Sequence, residues 1–375
     1  MRFEIDIDYP LEKMEQSRKR LEARPKFQMV DRVPVNYCVV PRYFSVEFGL
    51  RYLDYFKDAE TQYYWQLQFA KFHIENIPSD LCTAPVIYVH PYFDNAIPPS
   101  AQGAEVGWAE ESPLRALPTI HSVEQMDRFE VAKPDAGLRG TAIDWWQQMK
   151  AFAAETKVTF NGQEGRVDVS ALNLAGLSPH MLAVDLVGED FYWWMLEYPE
   201  DCHRFLEKIT QGEIESEEYN RKIDPRPRGD VYGLAEDSAT MMSAKLFREF
   251  CVPYAEKLFN RYGKGGRSVH NCGNSIHLLK ALKEAGLSGV FLGIESGVQR
   301  QLDTYNKRIT VEQNKSGIDI VRKVGLVMQP GFIMFDPYIT QDEVQENMKF
   351  IQDTKLYDGV APILKCRLYE GVPLL

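Results

Sequence analysis

The sequence predicts an α/β chain folded as a single TIM-like (β/α)8 barrel. Two observations carry that expectation. Short β-branched apolar runs alternate with segments of helical length along the chain. Strands separated by helices of roughly 10–20 residues must pair in parallel, through right-handed crossovers. Seven or eight such units imply a closed barrel rather than an open sheet.

The elements follow in order. Residues 11–24 read as a polar leading helix, and DRVPVNYCVV (31–40) as a strand opened by Asp-Arg and Pro. Aromatic side chains at helical spacing mark a helix over 58–76, and LCTAPVIYVH (81–90) reads as the second strand. The Pro- and Gly-rich stretch 91–140 has no sustained period and reads as a long ordered excursion. Helix 140–156, strand 166–173, helix 189–211 and strand 230–236 come next, followed by helix 243–262, a strand near 266–271 and helix 275–285. Strand 289–295, helix 311–324, strand 326–335, helix 341–353 and a last strand near 360–368 complete the alternation. The chain shows no internal repeat, low-complexity tract or Gly/Ser/Pro linker, which favours one continuous domain.

Composition narrows the functional classes. With 43 basic against 54 acidic residues the net charge is −11, which argues against nucleic acid or an anionic membrane as partner. The N-terminus carries early acids and no apolar run, so it does not read as a signal peptide, and no 18-residue apolar stretch occurs. The six cysteines, at 38, 82, 202, 251, 272 and 366, suggest no disulfide framework. The expectation is a cytoplasmic protein with reduced thiols, acting on a small molecule.

The strongest local signal is Ser268-Val-His270-Asn-Cys272-Gly273. Residues i and i+2 of a strand share a face, so His270 and Cys272 at a strand end can point together into the barrel mouth. Imidazole and thiolate form a zinc-type ligand pair. The plainer alternative is a small Cys beside a hydrogen-bonded His, and strand-end placement roughly evens the two. A zinc site needs a third ligand: His277 reads as outward on the next helix, whereas Cys366 lies on the last predicted strand. Asp237 and Ser238 follow another strand and, with Glu236, offer acid/base groups or a further ligand; the alternative is a helix cap, a role that Ser243 already fits.

Several segments together resemble the uroporphyrinogen decarboxylase / cobamide-dependent methyltransferase superfamily. They are DRVPV (31–35), PSDLCTAP (78–85), LAGLSPHMLAVDLVGEDF (174–191), LAEDSATMMSAKLFREFCVPYAEKLF (234–259) and VHNCGN (269–274), and they cover about residues 25–285. The resemblance implies a barrel with its site at the mouth. The His-x-Cys-Gly motif is similar to that of the methyltransferase branch, which implies zinc held by His270, Cys272 and Cys366, and methyl transfer to a thiol from a separate corrinoid protein. The decarboxylase branch instead implies a catalytic Asp80 and a carboxylate clamp of which only Arg42-Tyr43 remains; Asp185 lies near the place of an expected Tyr that is missing, and Arg42, Tyr43, His180, Asp185 and Glu295 are the expected substrate-binding positions. In the methyltransferase branch Asp80 would instead be a polar group lining the mouth, and a helix or turn cap is an equal alternative to either role.

After about residue 286 the chain resembles radical S-adenosylmethionine proteins, through GVFLGIESGVQRQLDTYNKRITVEQN (289–314) and VGLVMQPGFIMFDPYITQDEVQENMKFI (324–351). That chemistry needs a CxxxCxxC triplet, which the sequence lacks, so no iron–sulfur cluster is expected. Glu295 and Ser296 read as polar groups lining the mouth. The chain therefore reads as a chimera, natural or engineered, with residues 1–285 from one barrel family and residues 286–375 from another. Three outcomes stay open: a zinc-dependent methyltransferase-like protein, a metal-free carboxy-lyase using Asp80 with Arg42, and a catalytically silent recombined barrel.

Overall fold

A computed structural model describes residues 3–356, apart from 27, 33, 38, 111, 173, 175, 274 and 337. The chain is mixed α/β. Its strands are β1 (Phe3–Ile7), β2 (Val86–Val89), β3 (Glu105–Gly107), β4 (Arg115–Leu117), β5 (Thr156–Phe160), β6 (Gln163–Val169), β7 (Val231–Ala235), β8 (Gly266–His270), β9 (Gly289–Glu295) and β10 (Val327–Phe332).

Parallel pairing dominates, as the helical crossovers require: β1 with β5, β2 with β6, β7 with β8, and β9 with β10. A bridge from Leu177 to Ala235 links the stretch after β6 to β7, and β9 packs beside β8. The described strands do not join into one closed ring. The eighth expected strand, near 360–368, lies outside the described residues, and Cys366 with it.

Helix boundaries follow local chemistry. Asp58 accepts the N–H of Thr61 at 2.7 Å and caps Ala59–Asn76. Reciprocal capping boxes, Thr310 with Gln313 and Thr340 with Glu343, open Val311–Val324 and Gln341–Asp353, and Gly325 closes the former at φ +76°. Two expected helices are each split by proline. Pro199 pushes Tyr198 out of the helical region, dividing Asp190–Glu197 from Pro199–Ile223. Pro253 lacks an N–H and crowds the preceding turn, so the next helix breaks at Cys251 between Ala244–Phe250 and Val252–Tyr262.

Other expectations need correction. The run 31–40 forms no regular strand among its described residues; Pro34 within it and Pro41 just after it lack backbone donors. A backbone bond from the Asp80 N–H to the Val35 carbonyl, 2.6 Å, ties the run to the stretch before β2. The acidic N-terminus, not expected to be regular, forms edge strand β1, whose Ile5 and Ile7 are buried while Glu4 and Asp6 face out. An antiparallel hairpin, β5–β6, turns on Asn161-Gly162, both at positive φ (48° and 77°). That is the backbone a two-residue type I′ connection requires.

Among the described residues four apolar clusters fill the space between strands and helices, the smallest around Leu234, Leu258, Phe259 and Tyr262. One lies under β1, β2, β5 and β6, around Ile7, Tyr63, Ile87 and Phe160. A second joins helices 179–187, 199–223 and 244–262, around Leu182, Phe205 and Phe250. The third holds the last unit through Ile294, Ile318, Phe332 and Phe350.

Candidate metal centre at the ends of β7 and β8

Parallel pairing of β7 with β8 brings Ala235 opposite His270, so the residues that follow each strand emerge together at their carboxyl ends. Glu236 donates its N–H to the His270 carbonyl at 2.8 Å, and the Asn271 side-chain amide donates to the Glu236 carbonyl at 2.5 Å. These bonds lock the two strand ends in register.

Asp237, His270 and Cys272 converge there. His270 Nε2 lies 2.9 Å from Cys272 Sγ and 3.9 Å from Asp237 Oδ1, and the Cys272 N–H donates to that same oxygen at 2.5 Å. One ligand atom from each of the three lies within 4.8 Å of the others. His270 is well exposed and Asp237 about a third exposed, so the cluster faces open space. Partial desolvation and the Asp237 carboxylate push the Cys272 thiol above its usual range, while Lys307 opposes them. Nitrogen, sulfur and oxygen donors on one accessible face fit a zinc-type ion with an open position. Gly273, at φ +139°, turns the chain away beside Thr240, a backbone state that side chains rarely adopt.

The other expected residues lie elsewhere. Asp80 is fully buried and every bond found at its carboxylate is internal. Oδ1 accepts from Ser17 (2.8 Å), Arg20 (2.9 Å) and Arg32 (3.0 Å), and Oδ2 from Arg32 (2.6 Å) and the Val35 N–H (2.7 Å). It ties helix Leu11–Ala23 to the 31–35 run. Despite burial, these donors hold its carboxyl below the ordinary range. Arg42 and Tyr43 sit in the first turn of helix Pro41–Glu47, where Tyr43 packs edge-on to Phe44. Neither joins the Asp237–His270–Cys272 group.

His180 is buried on helix Pro179–Val187, with Nδ1 2.9 Å from Glu236 Oε1. Asp185, on the same helix, is pushed up to about 6 by burial and by the Glu236 charge. Glu295 ends β9 at φ +60° and pairs with Lys307 at 3.0 Å. Lys307 went unread in the sequence: it lies between two residues of left-handed backbone, Asn306 and Arg308, in a turn with no motif to mark it. Ser296 does not line a mouth; it is buried, bonded to Gln301 and to Asn347.

The arrangement defines a mixed α/β protein whose polar site gathers at the carboxyl ends of parallel strands. The chain belongs to the uroporphyrinogen decarboxylase family, whose model, "Uroporphyrinogen decarboxylase (URO-D)", matches residues 16–314. Similarity to curated proteins is partial. An uncharacterized methyltransferase of Pyrococcus horikoshii is 38% identical over 95 residues, 24% of this chain and 21% of that protein. The anaerobic magnesium-protoporphyrin IX monomethyl ester cyclase of Rubrivivax gelatinosus is 34% identical over 120 residues, 32% of this chain and 21% of that protein. The chain thus matches about a fifth of the length of each. A solved methyltransferase from Methanosarcina mazei aligns over 90% of this chain and 99% of its own, at 16% identity and a TM-score of 0.49. Among the described residues no helix is long and apolar enough to cross a membrane.

Proposed function

We propose that this family member is a zinc-dependent methyltransferase-like protein that presents a small thiol for methylation at the Asp237–His270–Cys272 site, with the methyl group brought by a separate corrinoid protein. The observation that carries the reading is the convergence of His270 Nε2, Cys272 Sγ and Asp237 Oδ1 at paired strand ends. The partial likeness to an uncharacterized methyltransferase agrees with it.

Zinc held there would lower the pKa of a bound substrate thiol and keep it as thiolate near neutral pH. The chain's own groups prepare the place. Asp237 accepts the Cys272 N–H and so orients that thiol beside His270. Glu236 and Asn271 fix the spacing of the two strand ends through backbone atoms. Lys307 supplies positive charge close enough to Cys272 to favour its thiolate form. Cys366 remains a proposed ligand from outside the described residues. The segment 286–375 is read as contributed by a second barrel family, completing the same barrel.

The carboxy-lyase reading has less support, because the Asp80 carboxylate is buried and already bonded to two arginines. The test is metal analysis of the purified protein with a thiol-methylation assay using methylcobalamin as donor. The expected result is bound zinc and methylation that falls at least about tenfold in His270→Ala. Absence of zinc, with methylation equal in both proteins, would overturn the reading.

A further inference from the structure

A second set of ligating side chains lies beneath the first. His180 comes from helix 179–187, Glu236 from the end of β7 and Cys251 from the break between helices 244–250 and 252–262. All three are buried, and one ligand atom of each lies within 4.8 Å of the other two. Glu236 Oε1 meets His180 Nδ1 at 2.9 Å and accepts the Ser238 hydroxyl at 3.0 Å, while Oε2 accepts the Ser178 hydroxyl.

Two further observations point to a ligand. His180 Nε2 is fully buried and has no hydrogen-bond partner, which is costly for an imidazole already tied to a carboxylate at its other nitrogen. A cavity of about 30 Å³ adjoins the group on the side of Ser178, Glu236 and Cys251, without His180 in its lining, and is walled otherwise by Glu256, Arg267 and apolar side chains such as Phe247, Phe259 and Leu287. That is room for about one water or ion. His180 Nε2 stays unsatisfied here, whereas Glu236 accepts two hydroxyls and the Cys251 thiol meets Met242 Sδ at 3.8 Å. Zinc bonds of about 2.0–2.3 Å to nitrogen, oxygen and sulfur place ligand atoms roughly 3.3–4 Å apart, so binding would part the 2.9 Å His180–Glu236 contact slightly and draw in any wider separation within the 4.8 Å group.

We propose that His180, Glu236 and Cys251 hold a second, structural divalent cation of the zinc type, separate from the Asp237–His270–Cys272 site. Binding releases the Cys251 thiol proton to solvent, and a water in the cavity or the Ser238 hydroxyl completes the coordination. The ion would pin helix 179–187 and the 251 break to the end of β7, and so brace the strand that carries Asp237.

The test separates the two sites. The triple variant Asp237→Ala/His270→Ala/Cys272→Ser, purified and then exposed to zinc, should retain about one zinc per chain and lose melting temperature when chelator removes it. Adding Cys251→Ser, or Cys251→Ala should the serine variant not fold, should remove that zinc. Cobalt(II) substituted into the triple variant should show a near-ultraviolet thiolate charge-transfer band, a readout that needs no change at Cys251. A folded triple variant that binds no zinc, zinc that survives loss of Cys251, or a cobalt spectrum without the thiolate band would each overturn the proposal.

Discussion

The backbone N–H of Glu236 donates to the carbonyl of His270 across 2.8 Å, so the residue that enters the buried polar cluster also fixes the strand end that carries the exposed one. The metal-binding geometry proposed at Asp237, His270 and Cys272 therefore depends on the register between β7 and β8 more than on the loops beyond them. Substituting the three side chains one at a time should leave far-ultraviolet circular dichroism unchanged, because none of them is buried. Zinc affinity, followed by competition with a chromophoric chelator, should fall by at least about tenfold in each. An Asp237→Ala protein with undiminished affinity would remove Asp237 from the ligand set.

Asp80 makes the opposite prediction. Its carboxylate joins Ser17, Arg20, Arg32 and the Val35 N–H, and two guanidinium groups lose their shared anion if it is neutralised. Asp80→Asn should cost about 3 kcal/mol in urea unfolding, the usual size for breaking a buried ion pair. Its carboxyl is held below the ordinary range, so the stability it adds is present above the unfolded pKa and lost as pH falls through the folded one. The loss should appear in acid and vanish in Asp80→Asn. A variant that unfolds like the parent while losing activity would restore a role in chemistry.

The Glu-Ser-Gly stretch after β9 gives a third. A Cβ built on Gly297 would meet Cβ of Phe350 at 2.3 Å and its Cγ at 2.4 Å, atoms too near the backbone to swing aside. The Gly297 N–H also donates to Asn347 at 2.8 Å, which holds the two segments together. Gly297→Ala should destabilise by about 1–3 kcal/mol, measured by thermal or urea unfolding. Stability equal to the parent would mean that helix 341–353 shifts freely against β9.

Much of this was legible because local chemistry agreed with tertiary demand. Helices 311–324 and 341–353 begin where their capping boxes place them, and β9 falls on GVFLGIE as expected. His270 and Cys272 stand at a strand end, as the i, i+2 rule requires. What stayed hidden was pairing at a distance. Nothing in FEIDI announces that it will pair with residues 156–160, and the short Asp-x-Asp alternation reads equally as a polar tail. The Asn161-Gly162 turn was a readable hairpin signal that the helix–strand alternation overrode. Within the site, Asp237 was foreseen beside a strand end. That Glu236 would point the other way, toward His180 and Cys251, follows from the alternation of side chains at the end of β7 only once the helices behind it are in place.

Asp185 should set a pH dependence of stability whose sign is unusual for a carboxylate. Burial, with the nearby Glu236 charge, pushes it up to about 6 in the folded chain, against about 4 when unfolded. Between those values the native state binds a proton that the unfolded state releases, so stability falls as pH rises from about 4 to about 6 and is flat above. The full linkage is at most about 3 kcal/mol, and partial solvent contact at Asp185 lowers it to about 2 kcal/mol. Asp185→Asn removes the charge that the native state resists. It should be close to neutral at pH 4 and stabilising by about that amount at pH 8, read from urea midpoints at each pH with equal slopes. Parallel pH profiles for parent and variant would show that Asp185 ionises without cost, and that the Glu236 charge is already spent on His180 and its hydroxyl donors.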